Sequence, residues 1–176
     1  DFIDCGTTGS VISSDGKNVI FERSKITFTN TQASCKGIRI RKDAHFELID
    51  STISNCFSTT DGGAFQYNPD DSDPKSENLV FRNLVIDNCE STQPKKTGAM
   101  FMTLSTNQAS FYNLTLQHIK GTQNGFIFTV GHANSVVVDV VEFVECNFVD
   151  CTTNIDDGNG GGMGLWCTGQ SEIKFT

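Results

Sequence analysis

No stretch of ten or more residues carries apolar side chains at a period of 3.6, so a helical or mixed α/β domain is not expected. A run of about 18 apolar residues is also missing, and with it any candidate helical membrane span. Positive charge is scarce. Lys and Arg number 13 against 21 Asp and Glu, which leaves a net charge of −8. Nucleic acid and anionic membrane surfaces, which require a basic stripe, are therefore poor partners. Solubility, Ca²⁺ or a cationic partner suit the charge better. Proline occurs three times, at Pro69, Pro74 and Pro94, which leaves the other segments free to pair as strands. Zinc-ligand spacing is missing too: the seven Cys form no C-x-x-C and no Cys/His cluster.

What the sequence does contain is a repeat. One slot is filled by Cys5, Thr31, Cys56, Cys89, Ile119 and Cys151, at intervals of about 29 residues, inside the solenoid range. Three residues before it stand Phe2, Phe28, Ile53, Ile86, Leu116 and Phe148. A glycine follows in each unit, at Gly9, Gly37, Gly63, Gly98, Gly125 and Gly162. Each unit then closes on Phe21, Leu48, Phe81, Phe111, Phe143 or Phe175. The segments between are short and rich in Ile, Val, Phe and Thr, a strand composition. Three short strands per unit, at a near-constant period, imply one turn of chain per unit. Successive turns would stack in parallel about 4.8 Å apart. The expected architecture is all-β: a single-stranded parallel β-helix of about six turns, one solenoid domain over residues 1–176.

The Gly62-Gly63-Ala64-Phe65 segment and the Ile26-Thr27-Phe28-Thr29-Asn30-Thr31 segment carry a resemblance. Fainter echoes are Gly98-Ala99-Met100-Phe101 and Gly161-Gly162-Met163. The chain resembles right-handed parallel β-helices of the pectin-lyase-like type. In detail it is similar to the polymorphic outer membrane protein repeats of surface and secreted proteins, with their GGA-plus-apolar and F-x-x-N-like motifs. That resemblance implies a right-handed coil and an extracellular or cell-surface setting.

The cysteine column reads first as a ladder of small buried apolar residues. The alternative is disulfides, Cys56 with Cys89 being the natural pair on adjacent turns. An odd count leaves at least one thiol free or intermolecular. Asn83 and Asn113 occupy equivalent positions with Asp50 one unit earlier, and they read as an Asn stack in left-handed turns. Asn113-Leu114-Thr115 is also the single N-x-T sequon, so a glycosylated Asn113 competes with the turn role. Asp70, Asp71 and Asp73 in one loop, and Asp156 and Asp157 in another, offer hard oxygens to Ca²⁺, although a solvated loop is the simpler reading. No other cofactor is expected.

Counted from the glycine column, Phe65, Tyr67, Met100, Met102, Ile127 and Trp166 fall on the outward side with Arg39. Either a bulge at the glycine shifts these strands by one residue, or an apolar contact stripe faces outward, toward another chain or a glycan. Arg39, Arg41 and Lys42 form the one basic spot. His118 and His132 read as surface or turn residues rather than catalysts.

The pectin-lyase-like resemblance raises an enzyme acting on acidic polysaccharides. The nearest set, Asn154 to Asp157 with His132 and Arg39 to Lys42, runs in the wrong chain order. It also spreads over about four turns, roughly 19 Å. The expectation is therefore a non-enzymatic structural or adhesive module, presenting loops 57–61, 90–97, 120–124 and 152–161 from one side of a rigid rod. A carbohydrate-active segment and an end-to-end filament subunit are the alternatives. The chain opens without Met and stops in mid-unit, as expected of a portion of a longer protein or of a stacking subunit.

Overall fold

The structure, a computed structural model, describes residues 2–3, 10–14, 18–23, 25–27, 36–40, 45–58, 64–67, 79–91, 100–104, 108–121, 127–131, 139–153, 163–166 and 171–176. Within them the chain is almost wholly strand and every pairing is parallel. No helix among the described residues is long and apolar enough to cross a membrane.

Three sheets are formed, of nine, four and six strands. The chain visits them in a fixed cycle. His45–Ser54 lies in the first sheet, Phe57–Ser58 in the second and Phe65–Tyr67 in the third; Leu79–Asp87 then returns to the first, parallel to His45–Ser54. The cycle repeats through Glu90–Ser91, Met100–Leu104 and Gln108–Gln117.

The closing column of the repeat is a real alignment of residues. Phe21 pairs with Leu48, Leu48 with Phe81, Phe81 with Phe111, Phe111 with Phe143, and Phe143 with Phe175. The last four rings stack nearly flat, with centroids 4.9, 4.8 and 5.1 Å apart. Parallel pairing repeats about every 4.8 Å, which is also a good stacking distance for offset rings. Like side chains therefore serve the ladder and the core together. Ile53, Ile86 and Leu116 make a second buried column, and Cys56, Cys89 and Ile119 a third.

One column differs from its sequence reading. Ile53 pairs with Ile26, and Ile26 with Phe2, so Ile26 holds the place expected for Phe28. Phe28 lies outside the described residues, as do Cys5 and Thr31.

Left-handed residues set the phase of the strands. Asp50, Asn83, Asn113 and Glu145 have φ of 49°, 49°, 51° and 54° in the middle of what would otherwise be continuous strands. Before the kink the buried residues are Phe46 and Leu48; after it they are Ser51 and Ile53. One left-handed residue thus shifts the inward parity by one and bends the sheet around the core. The next strand repeats the shift, from Leu79 and Phe81 to Leu84 and Ile86. Asn and Asp tolerate this conformation better than other non-glycine residues.

The outward-stripe reading fails at Phe65, which is 0% exposed and packs against Phe46 and Phe81 at ring distances of 5.0 Å. The cause is register. Ile38 pairs with Phe65, so Ala64 is one residue more than the glycine column allows, and Phe65 joins the inward side. Met100 and Ile127 continue the backbone column of Phe65, and Met102 that of Tyr67. Trp166 pairs with Val130, a position of the opposite parity.

Candidate functional site

Two ridges of described polar side chains run where the chain kinks. The first ridge runs Arg23, Asp50, Asn83, Asn113, Glu145, all left-handed. Its amides form a ladder: Asn83 Nδ2 donates to Asp50 Oδ1 at 2.7 Å, and Asn113 Nδ2 donates to Asn83 Oδ1 at 3.0 Å. An amide carries both a donor and an acceptor, so each Asn can receive from one neighbour and give to the next.

The second ridge runs Asn55, Asn88, His118, Asp150, with φ between 50° and 59°. Asn88 Nδ2 donates to Asn55 Oδ1 at 2.8 Å. At His118 the amide ladder gives way to charge. Its Nδ1 lies 2.8 Å from Asp87 Oδ1 and its Nε2 3.8 Å from Asp150 Oδ2. The imidazole thus bridges carboxylates from the preceding and following repeats, with about half its side-chain surface in water. The sequence alone marks His118 as a surface or turn residue, which its exposed left-handed position fits, but not its carboxylate partners. The missed signal was that Asp87, His118 and Asp150 are about one repeat apart.

Five of the ridge residues are followed by a small inward donor, whereas Asn83, Asn113 and His118 are followed by the buried Leu84, Leu114 and Ile119. Ser51 Oγ donates to the Ile49 carbonyl at 2.7 Å. Cys56, Cys89, Cys146 and Cys151 direct their thiols at the carbonyls of Ser54, Asp87, Val144 and Val149, always two residues back. Those carbonyls sit at the kink, where a second donor helps to satisfy them. The Asp87 carbonyl also accepts from Asn55 N, and that of Val149 from His118 N. This explains the recurrent Asn-Cys and Asp-Cys dipeptides. All four described cysteines are free thiols; Cys5, Cys35 and Cys167 lie outside the described residues. Burial pushes the Cys146 and Cys151 thiols above the ordinary thiol range, against the opposing pull of backbone hydrogen bonds.

A third polar group lies on the far side of the first ridge, on the strand segments that lead into its left-handed residues. The Arg82 guanidinium sits 5.3 Å from the Tyr112 ring centroid, and the Tyr112 hydroxyl donates to Glu142 at 2.9 Å. Three repeats are tied by a cation–π contact and a charged hydrogen bond.

The calcium candidates Asp70, Asp71, Asp73, Asp156 and Asp157 lie outside the described residues, as do His132, Arg41 and Lys42. Among the described residues no group of three or more His, Cys, Asp or Glu could hold a metal ion. Asn113 is exposed. The four candidate binding loops are described only at their first residues. These starts, Phe57–Ser58, Glu90–Ser91, Lys120–Gly121 and Thr152–Thr153, pair with one another as the four-stranded sheet. No family model, curated protein or solved structure matches this chain.

Proposed function

We propose that the chain is a right-handed parallel β-helix acting as a non-enzymatic extracellular or cell-surface module, a rigid rod that presents loops to other protein chains or to glycans. The observation that carries this reading is the unbroken alignment of unlike columns. Phenylalanine rings, ridge amides and the Cys56–Cys89–Ile119 line all advance one repeat at a time. The cyclic visit to three parallel sheets supports a coil, and parallel crossovers are right-handed almost without exception. A stack in which each repeat contacts only its neighbours is stiff and extended, suited to holding loops at fixed spacing. The net charge of −8 favours cationic protein surfaces or neutral glycans over nucleic acid.

The test uses beads coated with the 176-residue chain, presented to immobilised glycans and to cultured cells. Retention should fall when residues 92–97 are replaced by Gly and Ser and persist when surface positions away from the loop starts are changed. Turnover of acidic polysaccharide that disappears in His118→Ala would replace this reading with an enzymatic one, for which the Asp87–His118 pair would be the acid–base group. Self-association end to end is a second reading. It would continue between copies the parallel pairing and ring stacking that join Phe143 and Phe175 within the chain. Sedimentation over a concentration series tests it.

A further inference from the structure

The first ridge carries a feature that its structural role does not use up. Asn113 is the last amide of the ladder. It gives one Nδ2 hydrogen to Asn83, and the residue above it in the column is Glu145, which has no amide to continue the chain of donors. The bond to Asn83 engages one of the two Nδ2 hydrogens, on an exposed side chain at a left-handed kink. Leu114 is buried and Thr115, on the opposite parity, is half-buried, so the hydroxyl of the sequon lies on the outward side beside the amide.

We infer that Asn113 is an N-glycosylation site, and that the glycan stands on the first ridge without covering the loops of the second. The reaction transfers an oligosaccharide from a lipid-linked pyrophosphoryl donor. Asn113 Nδ2 bonds to sugar C1, the C1–O bond to the pyrophosphate breaks, the lipid pyrophosphate leaves with the electron pair, and one amide proton passes to a base. One N–H remains, enough to keep the bond to Asn83. His118, on the second ridge, is five residues along a strand, roughly 16 Å away. The loop starts lie beyond His118, so a glycan at Asn113 and a partner at the loops can coexist.

This inference rests on the extracellular reading, and the experiment separates the two. The full chain is directed into the secretory pathway of a eukaryotic cell behind a cleavable leader. Glycosidase-sensitive mass and peptide mapping are then read on the secreted product. One glycan on the peptide containing Asn113 is expected. It should persist in Thr115→Ser and vanish in Thr115→Ala and Asn113→Gln, and its enzymatic removal should leave bead retention unchanged. A secreted, folded chain with unmodified Asn113 overturns the inference, as does a glycan that survives Thr115→Ala. Bead retention lost on loop replacement but indifferent to the glycan leaves both readings standing. No retention with Asn113 glycosylated removes only the surface-module reading.

Discussion

Truncating Phe111 to Ala should show whether the ring column is the core of the fold or an ornament of it. Phe111 is 0% exposed and sandwiched between Phe81 at 4.9 Å and Phe143 at 4.8 Å, with interplanar angles of 6° and 7°. Burying and then losing a phenylalanine costs about 3–5 kcal/mol, including the residual cavity. Here both ring faces lose a stacked partner, each worth about 0.5–1.5 kcal/mol. The expected loss therefore sits at the upper end, about 4–5 kcal/mol, comparable with the whole stability of a marginal domain. With a urea dependence of about 2 kcal/mol/M, the unfolding midpoint should fall by roughly 2 M. Phe175→Ala is the internal control. It has the same chemistry and column, but one ring neighbour and 61% exposure, so about 1 kcal/mol is expected. Phe111→Leu should cost less than Phe111→Ala, about 1–3 kcal/mol, because Leu48 shows that the column accepts an aliphatic side chain while both stacked ring contacts are lost. Equal midpoint shifts for Phe111→Ala and Phe175→Ala would refute the reasoning, since burial and double stacking would then carry no weight.

Asn83→Ala should destabilise by about 2 kcal/mol, from a left-handed residue with a Cβ penalty and two lost ridge hydrogen bonds. Asn83→Gly, which removes the same bonds but not the conformational freedom, should be milder by about 1 kcal/mol in the same denaturation. Cys56 and Cys89 should resist alkylation until the protein unfolds, while Cys146 and Cys151 react slowly, as mass spectrometry of labelled peptides will show. The raised Cys146 and Cys151 values make the folded state hold its protons longer than the unfolded state. Their contribution is complete below the ordinary value of 9.0 and is lost as pH climbs above it, so melting temperature should decline there and decline less in Cys146→Ala. His118→Asn should change stability by less than about 0.5 kcal/mol, because the contacts of the imidazole with Asp87 and Asp150 are exposed and Asn88 shows that the column accepts an amide.

Periodicity alone determined the strand content, the parallel stacking, the closing column from Phe21 to Phe175, and the alignment of Asp50, Asn83 and Asn113. These follow because strands in register bring residues one repeat apart together, and a repeated side chain is visible in the sequence as soon as the period is counted. Tertiary structure decided what depends on a single residue of register. Loops of unequal length separate the strands, so a count from the nearest glycine misplaced Phe65 by the one residue Ala64, and a count back from the cysteine slot set Phe28 where Ile26 belongs. Cys146 falls outside the cysteine slot of the repeat because Glu145, kinking the chain just before it, places it in line with Leu114 and Leu84. The Asp87–His118–Asp150 bridge was likewise hidden, because Asp87 belongs to the column beside the ridge, and only the folded kink brings its carboxylate to the imidazole.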